Sequence, residues 1–459
     1  MSDIKKVIAA VIAAGTVFSA TASCSKKDKN PSSGASSEAS VTTEKKAEKT
    51  EPATEIGSMD IVWLSDFDLN PEGGQRSSAL SIFEDVYGGS ITFVPVLAAE
   101  KFTKLDQMIQ AGEEVDMFPY DMSVFPEGVL KDRFAPLDPY FKDMGMDEGI
   151  WDDMSAVSDM FAYKGKHYVV PFSVSEPQIL TYSRKLMKDS GIDDPYTLYK
   201  DGKWDWNAFN NMINKFAEIE SPLHHFGISG YYGRAMLASS GATVVSFDGN
   251  SFKNNISDPK IAGAENIMRD FQSRWLYSKS LKGNFAVDYS TLFYVSSDST
   301  LATSNRIMPD AELMIVPFPK SPDTDKYHVA CDYDARMLVK GSKKGRAVAT
   351  YLKCERIVAS DEKFQAKKKE QALKTMTEEQ YNALQEYINI AKTEPAFDFG
   401  YGMGETMLRD GDCNFDTRGV MDNIASALIE GGAPVGSWEE LRDRMSPVID
   451  EEIKKYNQN

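Results

Sequence analysis

Four cysteines and four histidines in 459 residues leave little room for the chemistry those side chains support. Beyond Cys24 only Cys331, Cys354 and Cys413 remain, an odd set that cannot pair completely within one chain, so a disulfide scaffold is excluded. There is no CxxC, and His167, His224, His225 and His328 lack zinc-ligand spacing, so no metal and no other cofactor is expected. No G-x-S-x-G elbow, HExxH helix, phosphate loop or GxGxxG turn names a reaction. Positive charge is also short. Lysine and arginine number 51 against 69 aspartates and glutamates, for a formal charge of −18. Such a surface repels nucleic acid and anionic lipid, which argues against partners of either kind for the body of the protein.

Long apolar runs are missing too, and no later stretch approaches the ~20 residues of a spanning helix. The run from Val7 to Phe18 follows Lys5 and Lys6 and is itself short for a permanent span. Small residues from Ser19 to Ser23 then lead to Cys24, which makes residues 1–23 an export signal. A signal that ends in small residues before a cysteine resembles the lipobox of bacterial lipoproteins, in which that thiol is acylated. An ordinary secretory signal with an incidental cysteine is the alternative. Residues 24–56 contain almost no large apolar side chain, so they cannot bury enough surface to fold and read as a flexible tether. Their charges balance, and the remainder carries about −19.

What the chain does contain is an α/β pattern. IVWL (61–64), SITFVPV (90–96), VDMF (115–118), HYVVPF (167–172) and FGIS (226–229) are short β-rich runs, with MIVPFP, HVAC and MLVKG later. Between them lie segments of helical spacing such as KFTKLDQMIQAG, KIAGAENIMRDFQSRWL and GRAVATYLKCERIVA. The end is helical, and Ser437 with Glu440 stands in capping-box register. Strands followed by helices place ligands beyond the carboxyl ends of the strands.

Two tryptophans stand one residue apart in GKWDWNAF (202–209). Asp205 precedes an apolar series at Trp206, Phe209, Met212, Ile213 and Phe216, which predicts an N-cap and a helix to about Ala217. Trp204 and Phe209 then occupy the two positions of a hydrophobic staple, so the pair is expected to fasten a helix rather than to form a ligand platform.

The stretch YSRKLMKDSGIDDPYTLYKDGKWDWNAF (182–209) resembles the corresponding part of family 1 extracellular solute-binding proteins. DIVWLSDFD, VDMFPYD, FAPLDPY, YKGKHYVVPF and IVPFPKSPD with MLVKGSKK occur in the family's order, over about residues 60–450. The resemblance implies a two-lobed, maltose-binding-protein-like Venus flytrap of the periplasmic-binding type II class, each lobe a mixed sheet flanked by helices. It also implies a sugar or oligosaccharide ligand and the permease subunits of an ATP-binding cassette (ABC) importer as partners. The solute-binding domain is placed at 57–459, with lobe 1 at about 57–172 and 334–398 and lobe 2 at about 173–333 and 399–459. Crossover strands forming the hinge are placed near 171–175, 330–334 and 395–402. A monomer held to the extracytoplasmic face of the membrane by lipid on Cys24 is expected.

Candidate ligand contacts lie just past strand ends that face the cleft. Trp63, Asp66 and Phe67 follow the first strand, and Tyr120 with Asp121 follows VDMF. Ser173 sits at the first crossing, Tyr231 and Tyr232 follow FGISG, and Asp332, Tyr333 and Arg336 lie at the second crossing. Each has a structural alternative: Trp63 as core, one of Tyr231 and Tyr232 facing inward, Arg336 merely paired with Asp332 or Asp334. Trp151, Trp275 and Trp438 fall at apolar helical positions and are assigned to the core. DGDCNFD (410–416) alternates like an EF-hand loop, but Phe415 and Met421 stand where glycine and glutamate are needed, so it reads as a solvated turn.

Two other functional classes compete. A secreted glycoside hydrolase or lyase needs two carboxylates across the scissile bond, and with 69 acidic residues such pairs arise freely. A surface adhesin needs a rigid exposed face rather than a hinge. A binding protein for a non-sugar solute is the nearest alternative within the same fold. The tether yields a direct test: Cys24→Ala should leave the protein exported but released from the membrane fraction, and retention after a high-salt wash would exclude lipid anchoring.

Overall fold

A computed structural model describes residues 58–71, 74, 76–279, 285–408, 419–425 and 436–458. The signal, the tether with Cys24, and the 410–416 segment with Cys413 lie outside the described residues. Fifteen strands are described. The first five are β1 (Asp60–Ser65), β2 (Ser90–Pro95), β3 (Met117–Pro119), β4 (Ala162–Tyr163) and β5 (Lys166–His167). Then come β6 (Ser173–Ser175), β7 (Ile179–Ser183), β8 (Phe226–Ser229), β9 (Val245–Phe247) and β10 (Phe252–Asn254). The last are β11 (Tyr277–Ser278), β12 (Thr291–Ser296), β13 (Leu313–Val316), β14 (Asp332–Asp334) and β15 (Arg336–Leu338).

They form two mixed sheets. One runs in the order β15-β3-β1-β2, with β15 antiparallel to its neighbour and the other pairings parallel. The second runs β11-β8-β12-β7-β13, in which β7 alone runs against the other four and is antiparallel to both its neighbours. Between the sheets, β6 and β14 pair antiparallel as a two-stranded ribbon. Helices Ser78–Tyr87 and Gly345–Ser360 pack together on the first sheet, burying Leu80, Phe83, Val348, Tyr351 and Leu352 against Ile61 and Trp63. A second core runs continuously from Leu64 and Phe118 to the second sheet. Rings carry it across: Phe161 contacts Tyr120, Phe125, Tyr333, Phe397 and Phe399, and Phe247 stacks on Tyr163.

Three local readings need correction. Most of HYVVPF is extended but unpaired, and HVAC ends where β14 begins; both runs are apolar because Val169, Val170, Phe172, Val329 and Ala330 are buried, not because they pair in a ladder. Trp275 is 75% exposed at φ 58, just past the helix Pro259–Ser273, while Trp151 and Trp438 are buried as expected. The helix Glu378–Thr393, assigned by sequence to the first lobe, lies along the second sheet: Tyr387 Oη donates to Ile315 O at 3.2 Å and Gln380 Nε2 to Leu313 O at 2.7 Å. Cys331 and Cys354 are free and buried, and burial pushes both thiols up, Cys331 to about 12.

The tryptophan pair is structural. Asp205 accepts from Ala208 N at 2.9 Å and caps the helix Trp206–Ala217. Trp204 meets Phe209 edge to face at 5.8 Å, the staple expected, and donates from Nε1 to Pro317 O at 2.8 Å. Trp206 is also buried, its Nε1 on Ser239 Oγ. Trp204→Ala therefore opens a cavity and unpairs Pro317 O, and should cost about 3–5 kcal/mol in denaturant unfolding while leaving ligand affinity unchanged. Lost binding at unchanged stability would instead make Trp204 a ligand platform.

Candidate functional site

The β6/β14 ribbon sets the geometry. Ser173 lies opposite Asp334 and Ser175 opposite Asp332, so two hydroxyls and two carboxylates share one half-buried face. Ser173 Oγ donates to Asp334 Oδ2 at 2.6 Å. Alternation sends Val174 and Tyr333 to the other face, where Tyr333 is buried against Phe161 and Phe397 and its hydroxyl reaches Ala391 O at 3.4 Å. Arg336, two residues beyond Asp334, extends the polar row.

At the first-sheet end, Arg336 is boxed by rings. Its guanidinium carbon lies 5.4 Å from the Trp63 ring, 5.7 Å from Phe67 and 5.2 Å from Phe172. Nη1 donates to Ala335 O at 2.8 Å, and Nε is buried without a partner. Glu355, which accepts from Tyr351 Oη at 2.6 Å, stands close by: burial raises its pKa, the Arg336 charge opposes that rise, and Asp334 adds to it. Trp63 is fully buried and ties the chain after β1 by donating to Phe67 O at 2.9 Å. Phe67 is 42% exposed, and Asp66 is exposed beside it with only Ser65 Oγ in contact, at 3.4 Å.

At the second-sheet end the organising group is Arg234, in the first turn of the helix Gly233–Ser239 that follows β8. Nη1 donates to Asp332 Oδ1 at 2.7 Å, Nη2 bonds Cys331 O, and the Tyr401 ring lies 6.0 Å away. Tyr120 is buried within electrostatic reach of Arg234 and Asp332, and its hydroxyl has no partner. Asp121 turns aside to pair with Lys101 and accept from Ser123 N at 2.8 Å. Tyr232 is fully buried against Tyr277, whereas Tyr231 is 66% exposed under Lys279. Asp398, Tyr401 and Arg234 line a recess with room for about one water.

Trp63, Phe67, Ser173 and Arg336 thus converge at one end of the ribbon, and Tyr120 meets Asp332 at the other. Tyr232, Tyr333 and Asp121 are drawn into other contacts. The sequence reading missed Phe172, Glu355, Arg234, Asp398 and Tyr401. A signal existed for one of them: an arginine two residues after the YY that follows β8 is well placed to reach a crossing strand.

The profile of bacterial extracellular solute-binding proteins matches residues 75–352. The chain belongs to that family. A diacetylchitobiose-binding protein of Streptomyces coelicolor, DasA, is 25% identical to this solute-binding protein over 173 residues, 37% of each chain, so the match spans little more than a third of that relative's length. Among solved structures, a cyclic alpha-maltosyl-1,6-maltose binding protein from Arthrobacter globiformis is similar with TM-score 0.62 at 14% identity, over 87% of this chain and 100% of that one. The GacH receptor of Streptomyces glaucescens, seen unliganded and with acarbose, gives 0.58 at 13%, over 86% and 99%. The fold is that of the type II periplasmic-binding proteins.

Asp398 links this site to stability. It accepts from Val244 N at 2.5 Å, Val245 N at 3.0 Å and Gly400 N at 3.1 Å, fastening the start of the short turn Phe399–Gly402 to β9; the crossover strand expected near 395–402 is not a strand in the structure. Burial lifts its pKa to about 6, against the pull of those amides and of Arg234. A raised carboxyl pKa contributes stability below its unfolded value near 3.8 that is lost as pH rises through about 6. Asp398→Ala should therefore flatten stability against pH between about 4 and 6. It should also cost at least about 2 kcal/mol at pH 7, read from urea unfolding, because three amides lose their acceptor.

Proposed function

We propose that this solute-binding protein captures a sugar or oligosaccharide in the crevice floored by the β6/β14 ribbon and delivers it to the permease subunits of an ABC importer. One observation carries the reading: a row of hydroxyl, carboxylate and guanidinium groups on a single face of the ribbon that joins the two sheets, with the exposed Phe67 ring against Arg336 at one end. Such groups bond sugar hydroxyls, and rings pack on the C–H faces of pyranoses. The diacetylchitobiose-binding relative and the maltosyl-maltose and acarbose receptors support the ligand class by likeness. The protein works as a monomer, tethered through lipid on Cys24 to the extracytoplasmic face, and binds without turnover. Lobe 1 is assigned to the β1 sheet and lobe 2 to the β8 sheet with the terminal helices, and the ribbon serves as hinge. The stacking residues are Phe67 and Tyr231 rather than their buried neighbours Trp63 and Tyr232.

Ligand can bias an open and a closed form only through contacts made differently in each. Scattering from residues 57–459 should show a radius of gyration that falls on adding the cognate sugar, with no cleavage after prolonged incubation. Phe67→Ala and Tyr231→Ala should each weaken binding by roughly 1–3 kcal/mol without lowering the melting temperature. Hydrolysis of the sugar defeats the transport reading, whereas binding unchanged in both variants moves the ligand to another wall of the cleft.

A further inference from the structure

If the crevice over the ribbon is the solute site, its charges restrict the ligand further. Arg234, Arg336, Lys101 and Lys279 are the cations that the candidate residues contact. Arg234 is bonded to Asp332 and Cys331 O. Arg336 is enclosed by Trp63, Phe67 and Phe172 and flanked by Asp334 and Glu355. Lys101 is paired with Asp121, and Lys279 lies 5.4 Å over the Tyr231 ring. Against them stand Asp66, Asp121, Asp332, Asp334, Glu355 and Asp398, two more carboxylates than cations. Asp66 is the outlying one, exposed at the end of β1 beside Phe67.

An anionic ligand here would have to take Arg234 from Asp332 or approach Arg336 against the carboxylates of Asp334 and Glu355. The first exchange leaves a carboxylate without its partner next to a second negative charge, and both interactions are unfavourable in a partly desolvated crevice. Hydroxyls meet no such conflict. The carboxylate oxygens of Asp332 and Asp334 accept from them, and the Ser173 and Ser175 hydroxyls adapt to either role. The domain's charge of about −19 acts in the same direction at longer range.

We infer that the site takes a saccharide bearing no negative charge, neutral or amine-bearing, and discriminates against uronates and sugar phosphates. This rests on the solute-site reading above. The test is thermal shift followed by calorimetry on residues 57–459 with a panel of matched classes. Maltotetraose and diacetylchitobiose serve as neutral probes, chitobiose as the amine, and digalacturonate and maltose 1-phosphate as the acids, within a wider set of each class. Binding is expected only among neutral or amine probes, with acidic congeners at least about tenfold weaker at 20 mM salt and the gap narrowing at 300 mM as screening grows. Asp66→Lys should also narrow it, while unfolding in urea stays as in the parent protein. An acidic saccharide that binds as tightly as its neutral congener overturns the inference and leaves the sugar-receptor reading in place. Silence across every class removes the sugar-receptor reading and the inference with it.

Discussion

The antiparallel pairing of Ser173–Ser175 with Asp332–Asp334 is the contact on which the rest of the molecule depends. Six residues decide which face of the ribbon is polar. Because side chains alternate along a strand, a slip of one residue would turn Asp332 and Asp334 into the aromatic core and bring Tyr333 to the polar face. Register is held from several sides. Phe172 N donates to Asp334 O and Gln178 N to Ala330 O at the two ends of the ribbon, and the Tyr333 ring is trapped beneath Phe161 and Phe397. The same alternation gives Arg336 its place in the row and lets β15 continue from the crossing strand into the first sheet.

The segment from Asp398 to Gly402 reinforces this arrangement through close backbone approach. A Cβ on Gly402 would fall 1.6 Å from Phe125 O, and one on Gly233 the same distance from Ala425 O. No side chain other than hydrogen fits at either position, so the chain after Asp398 lies directly on the loop after β3, and the helix bearing Arg234 lies directly on the helix Val420–Ala425. Arg234 and Asp398 are set by this packing rather than by their own sequence neighbours. That explains how two charged groups stay half-buried at a junction: Arg234 has Asp332 and a carbonyl, and Asp398 has three amides.

Much of the fold was legible in the sequence because local signals and tertiary packing agree. Asp205, Trp204 and Phe209 announce a capped and stapled helix that the structure contains, and Ser437 with Glu440 closes a capping box. β1, β2 and β8 fall where β-branched and aromatic runs put them. The failures share a physical cause: an apolar run reports burial, not the partner that buries it. HVAC and HYVVPF are apolar because they thread the core, and Trp275 has helical spacing yet falls just past a helix end, where positive φ turns it outward. The site was legible as a set of strand ends but not side chain by side chain. Adjacent pairs such as Tyr231 and Tyr232 must split between core and solvent, and nothing within the pair says which goes where. Asp398 was invisible and the partner of Arg234 could not be named, because the contacts that define them span 154 and 98 residues of chain.

The distribution of tryptophan gives the protein an optical asymmetry. Trp63, Trp151, Trp204, Trp206 and Trp438 are buried, and Trp275 alone stands in solvent. A collisional quencher added to the folded protein reaches the indole of Trp275 and leaves the other five emitting as core residues. Trp63 carries the Arg336 guanidinium over its ring and Trp151 that of Arg356, charges whose displacement shifts indole emission. With Trp275 quenched or replaced by phenylalanine, the intrinsic fluorescence is reduced to the buried set, within which Trp63 reports on the charge two residues beyond the ribbon without any attached label.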